Sequence, residues 1–286
     1  MKESTEHQLP EADVITLDNG RLLLSKRWQP IFADNKLDSF ELLASHPGHS
    51  IAKKVLSFRY TLKIHLVDKR GTRETFFIKR YLPSPDFMSP EEQAAAEWKA
   101  MWLFRKEKLP GPEPVALGSD HKIAFVISKE VPHVMNLEEW ATKNIANSSH
   151  KDQIIRRGKS LTEIITEVIQ EVAKITGRMH RAGMCHQDLY LCHFLCATRE
   201  RPLPLHLIDL QRVKKFPKRL PLDRQIKDLA QLLYSASPFI TKNGIRSFWN
   251  IYKAICPQPP LAALFLLPLI RFKAARIERH TKRHRL

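Results

Sequence analysis

The 286-residue chain reads as an α+β fold of two lobes: a small antiparallel sheet carrying one helix, then a larger, mainly helical part. Three observations lead there. Between residues 36 and 132 the text alternates in the manner of strands and is interrupted by a single capped helical stretch. From residue 133 onward, apolar positions recur at helical spacing instead. The length suits one two-lobed domain, and a hydrophobic content of 43% supports a sizeable core.

Taken in order, residues 1–35 show no firm periodicity and form an N-terminal extension. Ser39–Ala44 is a candidate strand, followed by the turn-like HPGHS around Pro47 and Gly48. Val55–Val67 (VLSFRYTLKIHLV) is rich in strand formers and reads as a second strand. A polar turn containing Gly71 leads to a third, Thr75–Tyr81, whose face Thr75, Phe77, Lys79 and Tyr81 sets a lysine beside aromatic residues. Ser89-Pro90-Glu91-Glu92 is a capping box with proline at the first helical position. It predicts a helix through Ala94, Glu97, Trp98, Met101 and Phe104, stopping near Leu109-Pro110-Gly111-Pro112. Strands resume at Ile123–Ser128, so the first half reads β-β-β-α-β-β, and the lobe boundary falls in Glu130–Leu137.

A second capping box, Ser160-Leu161-Thr162-Glu163, opens a helix whose core stripe is Leu161, Ile164, Ile165, Val168, Val172, Ile175 and Met179. Gly183 ends it. A short strand at Leu205–Leu210 and helices near Leu222–Ser235 and Gly244–Ile255 complete the larger lobe, taken as residues 133–270 after a smaller lobe of 36–132. The apolar run Leu261–Ile270 is too short to span a bilayer. Residues 271–286 form a basic tail with seven Lys or Arg against one acid, Glu278.

Charge narrows the partners. Forty-seven Lys and Arg against 30 Asp and Glu give a net charge of +17, which favours polyanions: nucleotides, nucleic acid or an anionic membrane surface. Nucleic acid is disfavoured, because no helix-turn-helix or RNA-binding fingerprint occurs and the aromatic residues read as core. Nothing in the sequence fixes an oligomeric state. The opening MKESTEHQLPEADV lacks an apolar segment of the signal-peptide kind, so a cytoplasmic protein with reduced thiols is expected. Cys185, His186, Cys192, His193 and Cys196 crowd together, but their spacing fits no common zinc pattern.

Four chemically telling pieces stand in order: Lys79 in a strand, Glu97 on the next helix beside apolar neighbours, Asp188 in the loop His186-Gln187-Asp188, and Asp209 closing a short strand. A buried carboxylate needs a partner, and Lys79 is the obvious one. This is the order of a kinase: a lysine for nucleotide phosphates, a glutamate that orients it, an aspartate that accepts the acceptor hydroxyl's proton, and an aspartate for Mg²⁺, a hard cation preferring oxygen. Rival readings are another small-molecule or protein kinase of the same superfamily, and a basic nucleic-acid- or membrane-binding protein without activity.

The segments HQDLYLCHFL and LIDLQRV, together with AEWKAMWLFRKEKLPGPEPVALG, resemble the lipopolysaccharide kinase family of heptose(I) and Kdo kinases, over about residues 50–255. The resemblance implies a protein-kinase-like fold with ATP and Mg²⁺ held between the lobes, and a lipid A-linked inner-core sugar as acceptor. It also implies a position at the inner face of the cytoplasmic membrane, with the basic C-terminus on the anionic surface. Carried over by position, it implies Lys79 on the ATP phosphates, Glu97 as its partner, Asp188 as catalytic base, Asp209 as metal ligand and Asp228 as a brace for the catalytic loop. For Asp228 a solvated helix carboxylate is the equal alternative. His193 stands five residues after Asp188, where protein kinases place a metal-binding asparagine. It is assigned to the metal site because the family carries histidine here, although imidazole is a poor Mg²⁺ ligand. Gln187 replaces the arginine that pairs with a phosphorylated activation loop, and Leu210-Gln211 replaces the Phe-Gly of a flipping hinge. Gly48 is expected between the first two strands, in place of a glycine-rich phosphate loop.

Overall fold

The computed structural model describes residues 11–56, 58–85, 88–146, 160–197 and 204–284. It divides into two compact units, Met1–Lys106 with Pro112–Glu130, and Glu107–Gly111 with Val131–Leu286.

The first unit is built on seven antiparallel strands. These are β1 (Val14–Leu17), β2 (Leu22–Ser25), β3 (Ser50–Leu56), β4 (Arg59–Val67), β5 (Arg73–Tyr81), β6 (Pro114–Ser119) and β7 (Ala124–Lys129), in the spatial order β1-β2-β6-β7-β5-β4-β3. Short helices α1 (Gln29–Asp34) and α2 (Phe40–Ser45) precede β3, and α3 (Pro90–Lys106) follows β5. Period-two alternation sorts β5. Phe76 and Ile78 join a core with Leu24, Phe32, Phe40 and Phe125, while Lys79 lies on the alternate set of positions. Serine 89 caps α3 reciprocally with Glu92, as its capping box requires.

Three local expectations are corrected. Ser39–Ala44 is helix α2 rather than a strand. Its apolar residues suit either period. Burial of Phe40 and Leu43 against the sheet selects the helical one, and the Asp18 carboxylate accepts from the Phe40 N–H, a partner 22 residues away that local text does not show. Val55–Val67 falls on two strands, β3 and β4, which pair antiparallel with Leu56 opposite Arg59. The sequence between the two strands contains no Gly or Asn to mark the break. Gly48 therefore lies before β3, not between strands of a hairpin. It has φ +74°, and an added Cβ would sit 3.0 Å from the Leu62 Cβ. Strands β1 and β2 arise where the sequence shows no firm periodicity, and β2 pairs with β6.

In the second unit, β8 (Met135–Asn136) and α4 (Leu137–Ala141) lead to the long helix α5 (Leu161–Arg181). Ser160 and Glu163 form its capping box, and Ile164, Val168, Val172, Ile175 and Met179 are its buried stripe. Gly183, at φ +75°, turns the chain just beyond, where a Cβ would meet the Phe216 carbonyl oxygen at 3.0 Å. Short strands β9 (Met184–Cys185), β10 (Phe194–Cys196), β11 (Leu205–Leu207) and β12 (Lys214–Lys215) frame the loop region. Three helices follow: α6 (Leu222–Ala236), α7 (Lys242–Ile255) and α8 (Pro260–His284). Helix α8 runs unbroken across the apolar run and on through the basic segment as far as His284, with Pro268 inside it. Its Leu266, Ile270 and Ala274 are buried with Leu229, Ala230 and Tyr252. Among the described residues no helix is long and apolar enough to cross a membrane. Between these helices lies an apolar cavity of about 110 Å³, lined by residues including Trp140, Val168, Leu232, Phe239, Phe248 and Ile270.

Candidate active site

The loop between β9 and β10 is held mainly by one helix face. Asp228 of α6 is fully buried and accepts from the backbone N–H groups of His186 and Gln187, each at 2.7 Å. The imidazole of His180 lies against the same carboxylate at 3.2 Å, with its other nitrogen 2.8 Å from the Tyr252 hydroxyl, to which Gln225 donates. One turn further along α6, Gln231 accepts from the Leu189 N–H at 3.2 Å and donates to the Gln187 carbonyl. Ser235 accepts from the Leu191 N–H at 3.0 Å. Burial excludes the solvated-carboxylate reading of Asp228. Gln231 and Ser235 are not among the sequence candidates, yet polar residues at i, i+3 and i+7 on an otherwise apolar helix face are their signal.

That scaffold presents Asp188. The Asp188 carbonyl lies 2.7 Å from His193 Nδ1, and His193 Nε2 lies 3.8 Å from the Asp209 carboxylate. Ligand atoms of Asp188, His193 and Asp209 all fall within 4.8 Å of one another. His186 is fully buried, with Nε2 3.0 Å from the Ile208 carbonyl, and so ties the loop to the residue before Asp209. An imidazole nitrogen facing a carbonyl carries a proton, and complete burial disfavours a second one on Nδ1. Burial pushes the His186 pKa down in keeping with this. The side chain of Gln187 bonds the Arg212 carbonyl at 2.6 Å and accepts from Arg224. The position of the missing arginine is thus filled by a neutral structural contact. Arg212 also lies 3.9 Å from the Asp188 carboxylate.

In the first unit, Lys79 Nζ sits 3.2 and 3.0 Å from the two oxygens of Glu97, and the buried Tyr81 hydroxyl donates to the same carboxylate. Glu97 is thus held by two residues on one face of strand β5, and Tyr81 is a partner absent from the sequence candidates. The structure therefore brings Asp188, His193 and Asp209 together in one unit and pairs Lys79 with Glu97 in the other.

The donor set suits a hard divalent cation in part. Asp188 and Asp209 offer carboxylate oxygens, whereas His193 offers the Nε2 left bare if Nδ1–H donates to the Asp188 carbonyl. Zinc is poorly served. Cys185 and Cys196 are buried thiols with pKa values pushed up by burial to about 11 and about 12, and the three-residue grouping contains no cysteine.

The sequence pattern of the Lipopolysaccharide kinase (Kdo/WaaP) family matches residues 69–252, more than half of the chain. The chain belongs to this family. Among its curated relatives, the lipopolysaccharide core heptose(I) kinase WaaP of Escherichia coli is 27% identical over 234 residues, covering 76% of this chain and 82% of the relative. WaaP of Pseudomonas aeruginosa is 30% identical over 156 residues, 50% of this chain and 52% of that protein. A solved structure titled "WaaP in complex with acyl carrier protein" matches with a TM-score of 0.65 and 24% identity, covering 90% of this chain and 98% of that one. The two-lobed α+β fold of the kinase family is shared.

Proposed function

We propose that this member of the family transfers the γ-phosphate of ATP to a hydroxyl of a lipopolysaccharide inner-core sugar, heptose or Kdo. The observation that carries the reading is the gathering of Asp188, His193 and Asp209 within 4.8 Å on a loop pinned by buried hydrogen bonds, in a chain of this family. Asp188 is the base: its partly exposed carboxylate can accept the acceptor hydroxyl's proton and align the oxygen. Asp209 would hold Mg²⁺, with His193 Nε2 bordering the same space. Mg²⁺, when bound, neutralises charge developing on the phosphate oxygens. Lys79 binds phosphate oxygens and Glu97 keeps it oriented, so most of the rate comes from positioning. The protein works at the inner face of the cytoplasmic membrane, where the basic residues of 271–286 face anionic lipid at about 1 kcal/mol each.

The test is ATP turnover with a panel of purified lipopolysaccharide cores, peptides and small alcohols, read by mass spectrometry of the product. Transfer to an inner-core sugar, lowered by orders of magnitude in Asp188→Asn while ATP binding persists, is the expected result. Transfer to a peptide or small alcohol alone would replace the acceptor, and near-normal transfer by Asp188→Asn would remove the base.

A second reading concerns a partner and rests on the apolar cavity of the second unit. A protein of this fold is recorded in complex with acyl carrier protein. An acyl group is the chemistry such a cavity would take, so this chain is proposed to bind acylated carrier protein there. Val168→Trp, which fills the cavity, is expected to abolish co-purification with acylated but not unacylated carrier. Equal capture of both forms by the wild type removes this reading.

A further inference from the structure

Helix α8 carries a second surface that the packing of the unit leaves uncovered. Its inward residues Leu266, Ile270 and Ala274 are buried, yet Leu264, Phe265, Leu269 and Phe272 are 70, 62, 43 and 65% exposed. These are four of the ten large exposed apolar residues described, and every other element or loop contributes only one. Exposed apolar residues scattered singly are ordinary, whereas four on one helix including both exposed phenylalanines are not.

Their spacing is regular. Phe265, Leu269 and Phe272 recur at steps of four and three along the outward face, and the same rhythm continues through Arg276, Arg279 and Arg283, all exposed. One stripe thus passes from apolar to cationic along its length, with Arg271 and Lys273 beside the point of change. Apolar side chains followed by arginines on one face match a bilayer surface, where phenylalanine and leucine enter the headgroup–acyl boundary and guanidinium groups meet phosphates. The helix is not apolar enough to cross, so it would lie in the plane of the interface.

We infer that the outward face of α8 inserts into the surface of an anionic bilayer through Leu264, Phe265, Leu269 and Phe272, with Arg276, Arg279 and Arg283 set on lipid phosphates. This rests on the membrane-side reading above and deepens it: attraction by charge alone is abolished by salt, whereas insertion leaves a salt-resistant part.

The experiment is co-sedimentation of the full chain with phosphatidylglycerol–phosphatidylcholine vesicles and with phosphatidylcholine vesicles, at low and high salt. Wild type is expected to keep measurable binding to the anionic vesicles at high salt, and Phe265→Ser/Phe272→Ser to weaken it about tenfold or more. The Arg276→Gln/Arg279→Gln/Arg283→Gln variant is expected to lose the salt-sensitive part instead. Leu264→Ser/Leu269→Ser provides a second test of the apolar half. The inference is overturned if wild-type binding vanishes at high salt, or if both serine variants bind like wild type. It is also overturned if sedimentation analysis shows a dimer that the serine changes dissociate, which would make the face a contact with a second copy. Transfer to a soluble core oligosaccharide by the wild type, assayed in parallel, judges the kinase reading separately. Its failure would leave the vesicle result standing.

Discussion

Helices α6 and α8 break the usual inside–outside rule in opposite directions. Helix α6 buries Asp228, Gln231 and Ser235, while α8 exposes Leu264, Phe265, Leu269 and Phe272. The buried polar groups are satisfied: they pair with the N–H groups of His186, Gln187, Leu189 and Leu191, so desolvation is offset by hydrogen bonds and the loop gains one fixed course. The exposed apolar groups of α8 lie in solvent. A satisfied exception of the first kind positions something within the protein. An uncovered exception of the second kind points to something outside it.

The sharpest way to break the comparison is Asp228→Ala. It strands two buried backbone N–H groups and removes the partner of His180, and it is expected to cost about 3 kcal/mol or more in urea unfolding. A loss below about 1 kcal/mol would mean that the α6 contacts are incidental.

A smaller effect is expected from pH. Burial lowers the pKa of His186 below its ordinary 6.5. Above that value the ring is neutral folded and unfolded, so stability there does not depend on it. As pH falls through about 6.5 the unfolded chain takes up protons that the folded loop refuses, and stability declines. Other histidines, including His46 and His206, shift in the same direction through burial, so the contribution of His186 is the difference between wild type and His186→Asn. The variant should show a shallower loss between about pH 6.5 and 5. An identical slope would show that His186 is not held neutral.

The smallest effect belongs to α8. Phe265→Ser/Phe272→Ser is expected to change the unfolding free energy by no more than about 0.5 kcal/mol, because neither ring is packed. A loss of about 2 kcal/mol would place those rings in the core and erase the contrast.

Much of this arrangement is legible in the sequence where the signal is local. The boxes at Ser89 and Ser160 announce α3 and α5, the stripe from Ile164 to Met179 marks the buried face of α5, and Gly183 marks its end. The pairing of Lys79 with Glu97 and the nearness of Asp188 to Asp209 are legible by order and element. What escapes is set by distant partners. Phe40 starts a helix because Asp18 accepts its N–H, and β1 and β2 become strands because β6 offers an edge. Tyr81 on Glu97 is a tertiary pairing without a local marker, whereas the polar spacing of Asp228, Gln231 and Ser235 on α6 marks a special face but not the loop N–H groups it meets. Exposure on α8 escapes for a related reason: Leu261–Ile270 is uniformly apolar, and only packing against α6 and α7 decides which side is covered.

Asp209 and Gln187 both have left-handed backbone angles, with φ of 62° and 67°. For residues bearing a Cβ this costs about 1–2 kcal/mol each. Glycine would sit there with less strain but could offer neither a carboxylate nor the Gln187 side-chain contacts to Arg212 and Arg224. The residue after Asp209 is Leu210, fully buried, and His186 grips the carbonyl before it. Released from those two clamps, the aspartate would relax toward ordinary angles and swing its carboxylate away from His193. The tension is thus held like a set spring by a leucine that performs no chemistry. Shortening that leucine would loosen the Asp209 backbone from a position outside the Asp188, His193 and Asp209 grouping.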